Sequence, residues 1–310
     1  MRPSLPTHKT AARWQIATAF ASIYLFWGST YLAIRLAVET LPPFSMAGAR
    51  ALVAGSLLYA WTRWRGAPRP EPVHWRAAAI VGGFLLLGGN GLVSWSEQRV
   101  PSGIAALIVG SVPLWMALLE WLWHSGPRPT VGIVLGLFVG FAGLGFLVAP
   151  GKLGDMNRID PLGAGALLLA AFLWGSGSLY SRRARLPASQ LMAASMEMLA
   201  GGALLLLAGG LTGEWLRFEP TRVVPHSIVA WAYLIVFGSL VGFTAYVWLL
   251  KATTPARAST YAYVNPVVAV VLGWAFAGEP ITPRVLMAAA AIILAVVIIV
   301  TRSTETPVEM

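Results

Sequence analysis

Apolar residues run almost unbroken through ten stretches of the chain, approximately 15–35, 44–62, 75–96, 103–123, 130–149, 161–181, 188–211, 227–249, 257–277 and 284–301. Each is close to the about 20 mainly apolar residues that a helix needs to cross about 30 Å of hydrocarbon. Polar and charged positions collect in short links between them. The longest link, 212–226, holds Glu214, Arg217, Glu219 and Arg222, and none has room for a soluble catalytic domain. The first stretch follows Arg2, Lys9 and Arg13 as the apolar core of a secretory leader would, but it is too long to be one and reads as a retained first helix. The pattern predicts an all-α integral membrane protein of ten transmembrane helices.

The pattern also repeats. Phe26-Trp27-Gly28-Ser29, with Arg35 beyond it, recurs as Leu173-Trp174-Gly175-Ser176, with Arg182 at the matching distance. Met46-Ala47-Gly48 with Gly55 recurs as Met192-Ala193-Ala194 with Gly201, and Pro101 and Pro113 match Pro255 and Pro266 to within one residue. The expected units are residues 1–150 and 151–310, five helices each. Five is odd, so the second unit enters the membrane inverted. Inverted repeats with a solute site at their interface are a known transporter architecture. Pro113 and Pro266 fall near the middles of the fourth and ninth stretches, where a proline removes a backbone donor. In lipid the freed carbonyl is tolerated only against protein or a wet cavity. Two bent helices facing one central cavity are therefore expected, with Pro113 and Pro266 as candidate gating breaks.

Polar side chains at helical spacing mark the faces that line such a cavity. Trp27, Tyr31 and Arg35 share a face of the first stretch, and Asn90, Ser94 and Glu97 share one of the third. Trp174 and Ser178 do so on the sixth, Tyr261 and Asn265 on the ninth, while Trp115 flanks Pro113 and Tyr246 lies on the eighth. Aromatic walls with a few hydrogen-bonding groups are the usual lining of a small-molecule pocket. The candidate substrate-binding residues are thus Trp27, Tyr31, Asn90, Ser94, Trp115, Trp174, Ser178, Tyr246, Tyr261 and Asn265. Charges inside a span are costly and must face protein or water. Arg50 and Glu197 hold nearly equivalent places in the two halves, as an interhelical ion pair or a gating element. Glu97 is a further candidate for coupling, and Glu120 lies near a span end, within reach of the headgroups.

Composition narrows the class. Charged residues make up 11% of the chain and hydrophobic ones 57%, against about 25% charged in soluble domains. The net charge of +10 reflects membrane orientation rather than a nucleic-acid partner. With the N-terminus inside, the cytoplasmic segments carry about twice as many Lys and Arg as the outer ones, which predicts both termini in the cytoplasm. There is no cysteine. His8, His74, His124 and His226 lie at termini or span edges without a carboxylate cluster, so neither a metal site nor a cofactor is expected. No nucleotide-binding loop, zinc motif or nucleophile elbow is present, so an enzyme or an ATP-driven pump is not expected. The expected partners are a small-molecule substrate and the bilayer, with the chain a monomer or weak homodimer.

Several segments resemble the EamA family of the drug/metabolite transporter superfamily, in particular its inner-membrane exporters. They are Trp27-Gly28-Ser29-Thr30-Tyr31, Met46-Ala47-Gly48-Ala49-Arg50, Gly89-Asn90-Gly91, Pro101-Ser102-Gly103-Ile104-Ala105-Ala106, Glu197-Met198-Leu199-Ala200 and Tyr261-Ala262-Tyr263-Val264-Asn265-Pro266-Val267-Val268-Ala269-Val270. EamA repeats often end their fourth helix with a Gly-Glu pair. The second half keeps it as Gly278-Glu279-Pro280, whereas the first has Ser125-Gly126-Pro127. The resemblance implies a basket of helices around a central cavity, the fifth and tenth peripheral, and cofactor-free export of small metabolites, amino acids foremost. Multidrug efflux and nucleotide-sugar or organic-phosphate transport are the alternatives on the same fold.

Overall fold

The computed structural model describes residues 13–123, 130–148, 159–253, 258 and 260–303. Arg2, His8, Lys9, His124, Ser125-Gly126-Pro127, Pro255 and both termini lie outside the described residues. Ten helical rods appear among those described: α1 (Arg13–Ala37), α2 (Pro43–Trp64), α3 (Pro72–Ser96), α4 (Ser102–Leu122), α5 (Val131–Val148), α6 (Pro161–Ser181), α7 (Gln190–Leu211), α8 (Pro225–Ala252), α9 (Tyr261–Ala277) and α10 (Pro283–Ser303). Seven are long and apolar enough to cross a membrane, while α9 and α10 have shorter apolar cores, Val264–Ala277 and Pro283–Ile298. The 22-residue α2 has a bilayer-spanning length but a more polar composition.

Helix starts are written locally. Pro43, Pro72, Pro161, Pro225 and Pro283 each open a rod, at the position where the missing N–H has no helical partner to lose. The Asp160 carboxylate accepts from the Leu162 and Gly163 amides at the start of α6, and Ser189 Oγ accepts from Met192 N, 3.3 Å away, at the start of α7.

Three equivalent pairs of rods pack across the two halves. α2 and α7 approach through small residues: a Cβ on Gly48 would lie 3.0 Å from the Gly202 carbonyl, and one on Gly55 3.0 Å from the Leu199 amide. α5 and α10 pack at Gly143 against Ala291, and α5 turns Val131 (76% exposed) and Phe138 (74%) outward, as a peripheral lipid-facing helix does. α4 meets α9 at the prolines. There α4 is interrupted at Gly110–Ser111 and resumes at Val112–Trp123. Pro113 therefore sits in the first turn of a new segment, where its lost donor costs little. α9 by contrast runs without interruption through Pro266. The carbonyl that Pro266 deprives of its helical donor is that of Ala262, and it faces Gly110: a Cβ there would lie 3.0 Å from the Ala262 oxygen and 3.1 Å from Pro266 Cγ. The two matched prolines thus differ in effect, one at a break and one inside a continuous helix laid against that break.

Candidate functional site

Three rods leave α-helical register for a π-helical stretch: α1 at Ile23–Trp27, α3 at Gly83–Gly91 and α8 at Leu234–Phe243. Such stretches are rare and gather at functional sites. α3 and α8 are the third rods of the two halves, and each seats the tryptophan of the opposite half. Trp27 lies against Gly242 and donates from Nε1 to the Gly238 carbonyl at 3.1 Å. Trp174 lies against Gly89, where an added Cβ would fall 2.5 Å from its Cε3. The glycines that the sequence offers only as small packing residues are the seats for the repeated tryptophans.

Between these seats the rings gather. Trp27, Trp174, Tyr246 and Tyr261 form one cluster with centroids 5.0–5.6 Å apart, several edge-to-face as aromatic quadrupoles prefer. On one side of the cluster lies a narrow cavity of about 60 Å³, bounded by Trp27, Thr30, Tyr31 and Ile34 of α1, Arg50 of α2, Gly89, Asn90 and Val93 of α3, Val109 of α4, Ala170 and Trp174 of α6, Gly238 of α8, and Tyr261 and Asn265 of α9.

Of the sequence-derived candidates, Trp27, Tyr31, Asn90, Trp174, Tyr261 and Asn265 line this cavity. Tyr246 and Ser178 lie behind its aromatic wall. The Tyr246 hydroxyl accepts from Trp174 Nε1 at 3.1 Å and pairs with Ser178 Oγ at 2.6 Å, so both brace Trp174 rather than face the space. Ser94 is fully buried and donates back to the Asn90 carbonyl. Trp115 stands apart, packed on Phe141 of α5 and Phe172 of α6. The interruption at Gly110–Ser111 separates it from the face of α4 that presents Val109. Ile34, Val93, Val109, Ala170 and Gly238 line the cavity without standing out in the sequence, and Thr30 and Gly89 stand out only within the EamA-like segments.

The expected Arg50–Glu197 ion pair does not form. Gly48 and Gly55, seven residues apart, carry the face of α2 that meets α7. Arg50 is two residues from Gly48, about 200° around the helix, and points into the cavity instead. There Nη2 donates to Asn90 Oδ1 while Nε has no partner. Glu197 is 1% exposed and neither of its carboxylate oxygens has a hydrogen-bond partner. Glu97 is fully buried beyond Tyr31. Its carbonyl accepts from Arg35 Nη1, and its carboxylate is likewise unpartnered. Glu120 is exposed near the end of α4.

The end of the bundle that holds Glu97 is tied across the halves by two acids. Gly278, left-handed at φ 65°, ends α9, and the next residue, Glu279, accepts from the Ser102 and Gly103 amides at 2.6 and 2.9 Å. Gly213, at φ 75°, ends α7, and Glu214 accepts from the Phe44 and Ser45 amides at 3.0 and 2.8 Å and from Ser45 Oγ at 2.7 Å. Each carboxylate thus caps the start of a first-half rod, where free amides and the helix dipole favour an anion. The Gly-Glu pair at 278–279 stands out in the sequence, whereas its twin at 213–214 reads as part of a polar link. No group of three or more metal-ligating side chains occurs among the described residues.

Residues 14–149 and 161–301 each match the model of the EamA-like transporter family. The uncharacterized inner membrane transporter YedA of Escherichia coli (strain K12) is 40% identical over 91% of this chain and 89% of its own length. The uncharacterized transporter YvbV of Bacillus subtilis (strain 168) is 24% identical over 95% of this chain and 94% of its own. A crystal structure with 22% identity shares the fold at a TM-score of 0.66, covering 95% of this chain and 100% of the other. With both halves matched and a relative so similar along nearly its whole length, the chain belongs to the EamA-like transporter family and is a multi-pass inner-membrane transporter, not an enzyme.

Proposed function

We propose that this transporter exports small amphipathic metabolites, amino acids or close relatives of them, by alternating access of its two halves around the aromatic-walled cavity. One observation carries the reading: the cavity is bounded by side chains of both halves, Trp27, Tyr31 and Asn90 from one and Trp174, Tyr261 and Asn265 from the other. A solute held between two bodies contacts them differently in each arrangement, and that difference is what lets a ligand shift a conformational equilibrium. The rings suit an apolar body and the amides a polar end. The moving bodies are residues 1–150 and 151–310, with α4 and α9 crossing at their prolines as the pivot. Lys and Arg distribution supports placing both termini and the Arg182 end in the cytoplasm and the Glu97 end outside. Opening outward then requires the Glu214 and Glu279 caps to release. A nucleotide-sugar or organic-phosphate carrier calls for several cations in the lining, and Arg50 is the one there.

The test is counterflow of labelled amino acids in proteoliposomes by the wild type, Asn90→Ala and Asn265→Ala. Loss of flux in variants that elute and melt like the wild type supports the reading. Unchanged flux of every transported solute removes both amides from the site.

A further inference from the structure

The cavity contains a cation without a counter-ion. Arg50 is 4% exposed and is the charged side chain in the lining, which includes no Asp or Glu. Among the described residues its guanidinium forms no ion pair; the pairs present are Arg99–Asp160, Arg222–Glu219 and His226–Glu39, all at the Glu97 end. Glu97 acts on it only at longer range. Nη2 is held by Asn90 Oδ1, and Nε is buried without a partner. Nη1 points toward α8, where a Cβ on Gly238 would come within 3.8 Å of it.

A buried, unpaired guanidinium is expensive, and arginine cannot shed the cost by losing its proton. Its planar fork pairs bidentately with a carboxylate or a phosphate. Across the same cavity Asn265, 4% exposed, has an Oδ1 with no donor. An unmet cation and an unmet acceptor thus line the same space as the rings of Trp27, Trp174 and Tyr261. A phosphate dianion would need more than one cation. An uncharged solute would leave Arg50 unpaired, and a cation would be repelled by it.

Resting on the carrier reading above, we infer that Arg50 is the receptor for a solute carboxylate and Asn265 the acceptor for a neighbouring N–H or O–H. The transporter therefore selects an apolar or aromatic body carrying one carboxylate and rejects the same body with the carboxylate masked. Asn90 holds the guanidinium in place through one N–H of Nη2, leaving the other N–H of Nη2 and Nη1, the end-on edge of the fork, for the anion.

Paired probes test this: L-leucine, L-phenylalanine and L-tryptophan, each against its carboxamide, which keeps the body and the ammonium and removes only the anion. Thermal protection of the purified full-length protein and counterflow in liposomes are measured for each pair. At least one acid is expected to protect and exchange, with its amide requiring about tenfold or more higher concentration, the scale of a charge-assisted hydrogen-bond pair. Arg50→Gln is expected to erase the preference for acid over amide, and Arg50→Lys, which keeps the charge without the fork, to retain part of it. Equal protection and exchange by acid and amide in the wild type overturns the Arg50 assignment and leaves the carrier reading standing. A folded Arg50→Gln that still prefers the acid does the same. No flux and no protection by any of the six probes overturns both. The wild-type comparison decides the matter even where Arg50→Gln does not fold.

Discussion

The two Trp-Gly-Ser motifs are one sequence idea used at two tolerances. In both, the tryptophan reaches the glycine-lined π stretch of the opposite half's third rod, and the glycine after it faces the opposite half's fourth rod. At Gly28 the fit is closed: a Cβ would lie 2.7 Å from Val268 Cβ and 2.8 Å from its Cγ1. At Gly175 it is open, with Met116 Cγ and Trp115 Cβ both 3.4 Å away. The partners differ too, since a β-branched valine in a continuous helix has almost no rotameric freedom, whereas methionine adapts. The α1 motif also sits at a π stretch and the α6 motif in regular helix. Duplication set the same contacts twice, and the first copy is the rigid one.

The sharpest way to break that comparison is to add a methyl group to each glycine. Gly28→Ala is expected to destabilise by about 1–3 kcal/mol, the range for overpacking a filled interior, because neither α1 nor Val268 has room to retreat. Gly175→Ala is expected to stay within about 0.5 kcal/mol. Parallel unfolding or melting measurements of the two variants read the difference, and equal losses would mean that both copies are packed alike.

The tryptophan seats come next. Gly89→Ala and Gly242→Ala put a methyl group into the indoles of Trp174 and Trp27, and the side chains must turn toward the cavity. Both variants are expected to lose about 1–2 kcal/mol and to shift tryptophan emission, with solute exchange falling in both. Here the two halves are expected to behave alike. A loss confined to one variant would separate the seats as Gly28 separates from Gly175.

A smaller effect contrasts the two ends of the bundle. Glu279→Gln and Glu214→Gln each keep the side-chain shape and one acceptor oxygen but give up the charge that meets a helix N-terminus. We expect losses of about 1 kcal/mol each. At the Arg182 end, α7 is capped by its own Ser189, so Ser189→Ala costs a similar amount without releasing one half from the other. Exchange rates distinguish the two kinds of cap: the glutamine variants are expected to change them, and Ser189→Ala to leave them near wild type.

Much of this architecture was legible in the sequence, because hydrophobic length and the repeated motif are local properties. The ten runs, the two halves and the cluster of Trp27, Tyr31, Asn90, Trp174, Tyr261 and Asn265 all follow from spacing along single helices. What stayed hidden depends on how helices meet. Trp115 flanks Pro113 along the chain, but the interruption at Gly110–Ser111 separates their segment from the face of α4 that presents Val109. Arg50 and Glu197 occupy nearly equivalent places in the two repeats, one residue out of step, yet Arg50 turns into the cavity and Glu197 does not meet it. The π stretches have no composition of their own beyond their glycines. Glu214 reads as one more charge in a link until the start of α2 is seen against it.

The finest contrast lies one residue beyond the glycines. Ser29 Oγ donates to the Phe26 carbonyl at 2.8 Å and lies 2.6 Å from the Tyr233 hydroxyl of α8, so it joins the halves. Ser176 Oγ donates only to the Phe172 carbonyl of its own helix, at 2.8 Å. Removing the second hydroxyl takes away a bond that merely competes with the helix ladder, and Ser176→Ala is expected to be neutral within about 0.5 kcal/mol. Removing the first leaves the Tyr233 hydroxyl short of a partner in a partly buried setting, and Ser29→Ala is expected to cost about 1 kcal/mol. A double-mutant cycle with Tyr233→Phe isolates the pair. A coupling energy near the Ser29→Ala loss assigns that loss to the contact between the halves, whereas a coupling near zero would place it within α1 and remove Ser29 from the interface.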